Sequence, residues 1–180
     1  MASELVEHLQ AHALRTDGPF TLRSGRVSDW YLDARLTTFD GSGGVLVGDA
    51  VLGLLDDRVT ALGGMTLGAD PIAVATAVIA AQRGRPLRAF SVRKQEKDHG
   101  TGGRVVGPVG PGDRVAVLED TTTTGGALLE ATDVITAAGI DVVQAIVLVD
   151  RSEGAAAGRL ADRGIPLSVV ATPVDLGVEA

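Results

Sequence analysis

Val115-Ala-Val-Leu-Glu-Asp-Thr-Thr-Thr-Thr-Gly-Gly-Ala-Leu-Leu129 changes character twice in one short stretch. The apolar run Val115–Leu118 has the length and composition of a strand buried in a parallel sheet. After Gly126 the period becomes helical: Leu128, Ala131, Ile135 and Ala138 recur at that spacing, and Gly139 closes the segment. Between the two lie an acid pair, Glu119 and Asp120, four threonines, Thr121 to Thr124, and two glycines, Gly125 and Gly126. A loop of this kind aims backbone N–H groups and hydroxyls at the start of a helix, where the dipole favours an anion. Its glycines remove Cβ atoms that would keep an anion off the backbone. The acids work against that use, because a carboxylate about 4 Å from a phosphate costs about 1–4 kcal/mol, depending on screening. They fit a ligand that also carries hydroxyls needing acceptors, or a divalent cation nearby. A ribose phosphate with Mg2+ offers both. The plainer alternative is a turn that caps its helix with threonine, and that needs one such residue rather than this whole set.

Composition sets the frame around this stretch. The chain has 180 residues, 45% of them apolar, and its strand and helix patterns alternate, which predicts one α/β domain over residues 1–180. Aromatic residues are only 3%, so the core must come from Val, Leu, Ile and Ala. There is no cysteine, which excludes disulfides and thiolate chemistry and suits the cytoplasm. A net charge of −7 argues against general affinity for nucleic acid, while leaving room for a local anion site. No long apolar run, basic amino terminus or cleavage pattern is present, so neither a membrane span nor a signal peptide is expected.

From the amino terminus, Ser3–Leu14 reads as a helix with Leu5, Leu9 and Ala13 on one face. His8 and His12 lie four apart, and with no Glu beside the first they belong to a solvated face rather than a zinc motif. Phe20–Arg26 and Ser28–Leu36 read as a hairpin with Ser24-Gly25 at its turn, holding the only Trp, the only Tyr and three arginines. Aromatic rings beside guanidinium groups suit a flat anionic ligand, and equally a cross-strand aromatic pair over exposed arginines. Thr37–Gly44 reads as a flexible joint and Val45–Leu55 as a short helix. Val59–Leu62 is a strand entering the glycine loop Gly63–Asp70, with Asp70 as cap and Pro71 as first residue of a helix reaching Ala81. That loop matches neither the dinucleotide fingerprint nor the Walker A pattern.

Leu87–Val92 reads as a strand, followed by Arg93-Lys-Gln-Glu-Lys-Asp-His-Gly-Thr-Gly-Gly-Arg104, which has no apolar anchor and is expected to be a mobile loop. It gathers Arg93, Lys94, Lys97, His99 and Arg104 in an otherwise acidic chain; a merely solvated loop would also carry such charges. Pro108–Asp113 is a turn into the central strand. Val142–Val149 is a further buried strand, ending at Asp150-Arg151, where an open α/β sheet presents side chains to ligand. Gly154–Arg163 reads as a helix and Leu167–Ala171 as a last strand.

Three of these stretches resemble one family. Glu119-Asp120-Thr121-Thr122-Thr123-Thr124-Gly125-Gly126 after an apolar strand is similar to the phosphoribosyl-diphosphate (PRPP) motif of type I phosphoribosyltransferases. Phe20-Thr-Leu-x-Ser-Gly-Arg26 with Tyr31-x-Asp33 resembles the amino-terminal hood of the orotate phosphoribosyltransferases. Arg93-Lys-x-x-Lys-Asp-His-Gly-x-Gly-Gly103 resembles their catalytic loop. The resemblance implies an open, mainly parallel sheet flanked by helices over residues 41–180, with a small hood containing a β-hairpin over 1–40. It implies transfer of phosphoribose from PRPP to orotate with Mg2+, the metal held mainly by PRPP. Lys97, His99 and Asp120 would be catalytic. Arg93, Lys94, Lys97, His99, Glu119, Asp120 and the loop Thr121, Thr122, Thr123, Thr124, Gly125, Gly126 and Ala127 would hold PRPP. Thr123, Arg151, Tyr31 and Arg23 would meet orotate. A lysine contact to pyrophosphate from the first glycine loop is absent, since Leu67-Gly68-Ala69 stands where many relatives carry Tyr-Lys. The resemblance further implies a homodimer whose catalytic loop reaches the neighbouring site, with no nucleic-acid or membrane partner. Transfer to another base, or PRPP sensing without catalysis, are the competing readings.

Overall fold

The computed structural model describes residues 2–21, 27–96 and 103–179. The hood comes first: α1 (Ala2–His12), then four two-residue strands, β1 (Leu14–Arg15), β2 (Phe20–Thr21), β3 (Val27–Ser28) and β4 (Tyr31–Leu32), and the short helix α2 (Arg35–Thr38). The core follows as α3 (Gly41–Leu54), β5 (Ala61–Met65), α4 (Ala69–Gln82), β6 (Arg88–Val92), β7 (Val105–Val106), β8 (Arg114–Thr122), α5 (Gly126–Ala137), β9 (Asp141–Asp150), α6 (Ala155–Ala161) and β10 (Leu167–Ala171). The main sheet runs β10-β9-β8-β5-β6-β7, parallel except for the antiparallel edge strand β7.

The central strands are apolar on both faces because helices cover both. In β8, Ala116 and Leu118 join the cluster formed with α1, α3 and α4, which includes Leu5, Val51 and Ile72. Val115 and Val117 point the other way, among Leu128, Ile135 and Leu160 of α5 and α6. The period of two along a strand thus feeds two cores. Each fully buried leucine contributes about 1.5–3 kcal/mol, so the missing aromatic residues are made up by number. α5 stops where expected: Gly139 takes φ +77°, and Ile140 N–H returns to Ile135 O at 3.3 Å, a glycine-terminated helix end. α1 instead ends at His12 rather than Leu14, because Leu14-Arg15 pairs with Leu32-Tyr31.

Several expectations change. β8 does not end at Leu118 but runs to Thr122, because Glu119, Thr121 and Thr122 continue the ladder opposite Val147, Val149 and Asp150. The acid pair therefore lies on a strand, and the loop shrinks to Thr123–Gly125. Thr37–Gly44 is not a joint: Asp40 accepts from Gly43 N–H at 2.8 Å and starts α3 at Gly41, a side-chain cap that overrides the glycine content. The expected hairpin is rearranged where it is described, and its turn at Ser24-Gly25 lies outside the described residues. β2 pairs only with β3, Tyr31-Leu32 pairs instead with Arg15-Leu14, and Arg35–Thr38 is helical. Asp70 is not the cap of α4, which begins at Ala69 after Gly68. Asp70 instead accepts from Thr66 Oγ1 at 2.6 Å. His8 is not solvated; its Nδ1 lies 3.2 Å from Thr37 Oγ1 and its Nε2 3.3 Å from Asp40.

Candidate active site

At the carboxyl edge of the sheet, a cavity of about 690 Å3 opens between the ends of β5 and β8, the hood and the exit of β6. Its floor is the acid pair. Glu119 is 8% exposed, and its Oε2 is buried without a partner among the described residues. Burial first, and the neighbouring Asp120 second, push its carboxyl up to about 9, with Lys94 pulling the other way. Asp120 is held from two sides. Its Oδ1 accepts from Thr121 N–H at 2.6 Å. Gly68 presses against it so closely that a Cβ there would lie 2.9 Å from the carboxyl carbon.

The loop after β8 is built by its own hydroxyls. Thr122 Oγ1 accepts from Gly125 N–H at 2.9 Å, and Thr124 Oγ1 from Gly126 N–H at 3.4 Å. Gly125 adopts φ +76° and packs where a Cβ would lie 3.1 Å from Ala156 Cα, so conformation and space both call for glycine. Arg159 of α6 donates to Thr124 O at 2.6 Å and braces the loop from outside.

Of the expected site residues, the cavity brings together Tyr31, Lys94, Glu119, Asp120, Thr121 and Ala127. Thr122 is buried and serves the loop itself, while Thr123 and Thr124 are exposed beside it. Arg93 closes the neck of its loop: its N–H donates to Arg104 O at 2.8 Å, and its carbonyl accepts from Arg104 Nε at 2.7 Å. Arg151 donates its N–H to Thr122 O at 2.8 Å, and its guanidinium lies 3.8 Å from the Trp30 ring centroid. Arg23, Lys97 and His99 lie outside the described residues, as does the expected mobility of residues 97–102.

The sequence reading gave no role to Met65 or Glu130. It took Gly68 only as part of the loop expected to meet pyrophosphate through backbone N–H groups, and Arg35 only as one of three hood arginines. All four line the cavity. Asp33 and Arg35 form an ion pair at 2.7 Å on its hood side, and Arg35 holds the Asp33 carboxyl below its usual range. Asp33 stands in the Tyr-x-Asp pattern, so a signal existed for it. Glu130 pairs with Arg104; the two are far apart in sequence, and no local pattern joins them. Among the described residues no three His, Cys, Asp or Glu side chains converge as a metal cage.

No family model matches the chain. An orotate phosphoribosyltransferase of Streptomyces avermitilis is 45% identical over 163 residues, 90% of either chain. Among solved structures, the orotate phosphoribosyltransferase of Mycobacterium tuberculosis in complex with Fe(III) dicitrate superposes with a TM-score of 0.87 at 37% identity, covering 98% of this chain and 99% of that one. A structure of the same enzyme in complex with PRPP gives 0.82 at 35% identity, with coverage of 98% and 99%.

Proposed function

The chain belongs to the orotate phosphoribosyltransferase family, and from that premise we propose how its residues divide the work. The reaction joins orotate and PRPP into orotidine 5′-monophosphate and pyrophosphate, a step of pyrimidine biosynthesis. A ring nitrogen of orotate gives up its proton and bonds to the anomeric carbon as the bond to pyrophosphate breaks. Positive charge builds on the ribose and negative charge on the leaving group.

The observation that carries the division of roles is the acid pair on the last residues of β8, on the floor of a cavity whose other wall is the glycine loop after β5. We assign the ribose hydroxyls to this pair. Glu119, on the same floor with its carboxyl pushed up to about 9 by burial and Asp120, completes the pair beside one hydroxyl. Asp120, pinned by Thr121 N–H and Gly68, stands fixed beneath the sugar as its charge develops. The loop Thr121–Ala127 takes the 5-phosphate with N–H groups and hydroxyls, using the start of α5. Arg93, Lys94, Lys97 and His99 face the pyrophosphate, with Lys97 or His99 delivering its proton. Thr123, Arg151, Tyr31 and Arg23 meet the base.

Mg2+ would be held mainly by PRPP oxygens, close to the Asp120 carboxyl on the cavity floor. When bound it neutralises charge on the leaving pyrophosphate. A homodimer is part of the same reading. Val45, Val74 and Val78 are each more than half exposed, and they line an apolar groove of about 550 Å3 between α3 and α4, an unusual face for a monomer to leave in water. No helix among the described residues is long and apolar enough to cross a membrane, and we place the enzyme in the cytoplasm.

Loss of orotate absorbance on adding protein to orotate, PRPP and Mg2+ tests the reading, with uracil, hypoxanthine and adenine in parallel. Consumption of orotate alone, and only with PRPP and metal, is expected. Turnover of a purine instead would move the base assignment; PRPP binding without turnover of any base would favour a sensor.

A further inference from the structure

Trp30 is the only tryptophan in the chain and belongs to the hood, yet it is 7% exposed. Besides packing in the core, its side chain makes two directed contacts among the described residues. The guanidinium carbon of Arg151 lies 3.8 Å from the ring centroid, and the indole Nε1–H donates to Glu179 O at 2.9 Å. Its backbone is tied by Ser28, whose Oγ donates to Trp30 O at 2.8 Å. The turn that carries Glu179 is itself fixed. Leu176 is 2% exposed within the core, Gln10 Nε2 donates to Leu176 O at 3.2 Å, and Val178 N–H returns to Pro173 O at 3.0 Å. Arg151 is anchored at the other end, where its N–H meets Thr122 O beside the phosphate loop. Trp30 thus bridges the hood, the end of β9 and the turn after β10.

We infer that Trp30 is a positioning residue for base recognition: its ring holds the Arg151 guanidinium in one pose, and the Glu179 carbonyl holds the ring. The inference rests on the assignment of Arg151 to orotate. A guanidinium meets a carboxylate with its edge, while stacking uses its face, so the two contacts are compatible. An arginine ordered before the base arrives loses less rotamer freedom on binding. The cation sits over an indole, the ring type with the strongest such attraction, in a largely water-excluded place.

The test measures KM for each substrate, and kcat, in Trp30→Leu, Trp30→Phe, Arg151→Ala and the Trp30→Leu/Arg151→Ala pair. Trp30→Leu should raise KM for orotate by about tenfold, while KM for PRPP and kcat change less than about twofold. Trp30→Phe keeps a ring face and should stay within about threefold of the parent. The double variant should bind orotate no worse than Arg151→Ala alone, since Trp30 acts through Arg151. In the free enzyme, Arg151→Ala should also change Trp30 emission, excited beyond the absorption of Tyr31. A rise in both KM values alike, or additive losses in the double variant, would overturn the role of Trp30 while leaving Arg151 in place. An unchanged orotate KM in Arg151→Ala would instead remove Arg151 from the base, and the inference with it. If Trp30→Leu does not fold, Trp30→Met, which fills the space without a ring, replaces it in every comparison.

Discussion

The sheet holds two adjacent units of the same plan, β5 to α4 and β8 to α5, which pair in parallel and open on the same cavity. Both turn through a glycine at the start of the helix, and neither of those glycines has a side chain with which to cap it. Beyond that they diverge. The β8 unit carries its chemistry in side chains, an acid pair and a run of hydroxyls. The β5 unit carries none in Leu67-Gly68-Ala69, and its Gly68 brings bare backbone against Asp120. α3, away from the cavity mouth, is capped by Asp40 in the ordinary way. Under the proposed assignment, the contrast separates two kinds of contribution to one cavity: a unit that supplies acting side chains, and a unit that shapes where they lie.

That division can be broken in order of effect. Asp120→Asn removes charge from the acting unit with almost no change in volume, and kcat/KM should fall by about a hundredfold with the thermal midpoint little changed. A loss of only a few fold would mean that the acid pair merely completes the strand. Gly68→Ala touches no substrate by its own chemistry but displaces Asp120. KM for PRPP should rise about tenfold while orotate KM moves little. Equal activity with the parent would show that the β5 loop simply yields, and the shaping role would be lost.

Glu119→Gln sharpens the comparison through pH. In the fold its carboxyl is pushed from the ordinary 4.5 up to about 9, so over that range the folded chain holds a proton that the unfolded chain has released. Stability from this group therefore falls as pH rises from about 4.5 to about 9, and below 4.5 the group contributes nothing. The amide cannot ionise. Its thermal midpoint relative to the parent should climb with pH between pH 5 and pH 8.5, by about 2–4 °C for each kcal/mol relieved. A gap independent of pH would mean that Glu119 is already charged in the fold.

The core strands were legible because burial on two faces leaves an unmistakable apolar run, as in Val115–Leu118 and Val142–Val149. Their ends were not. Glu119 to Thr122 read as loop by composition, but a partner strand that continues to Asp150 keeps them in the ladder, and pairing outweighs local preference. The hood was harder still. Arg35–Thr38 becomes helical because Thr37 and Thr38 pack inward and Asp33 accepts from Arg35 N–H, tertiary facts that a polar tetrapeptide does not announce. In the site, the contiguous motif was readable and the converging residues were not: Gly68 matters for where Asp120 lies, and Glu130 for where Arg104 lies.

Gly63 and Gly64 sit side by side in β5, a strand with every residue buried. A methyl group on the first would run into the carbonyl of Phe90, and on the second into that of Leu118. In a saturation library both positions should tolerate no replacement, as Asp120 does under selection for growth on this activity alone. Intolerance by itself would therefore rank two packing glycines alongside a site carboxyl. Scoring the same library for abundance separates them, because the glycine variants should vanish from the cell while the Asp120 variants persist as folded, silent protein.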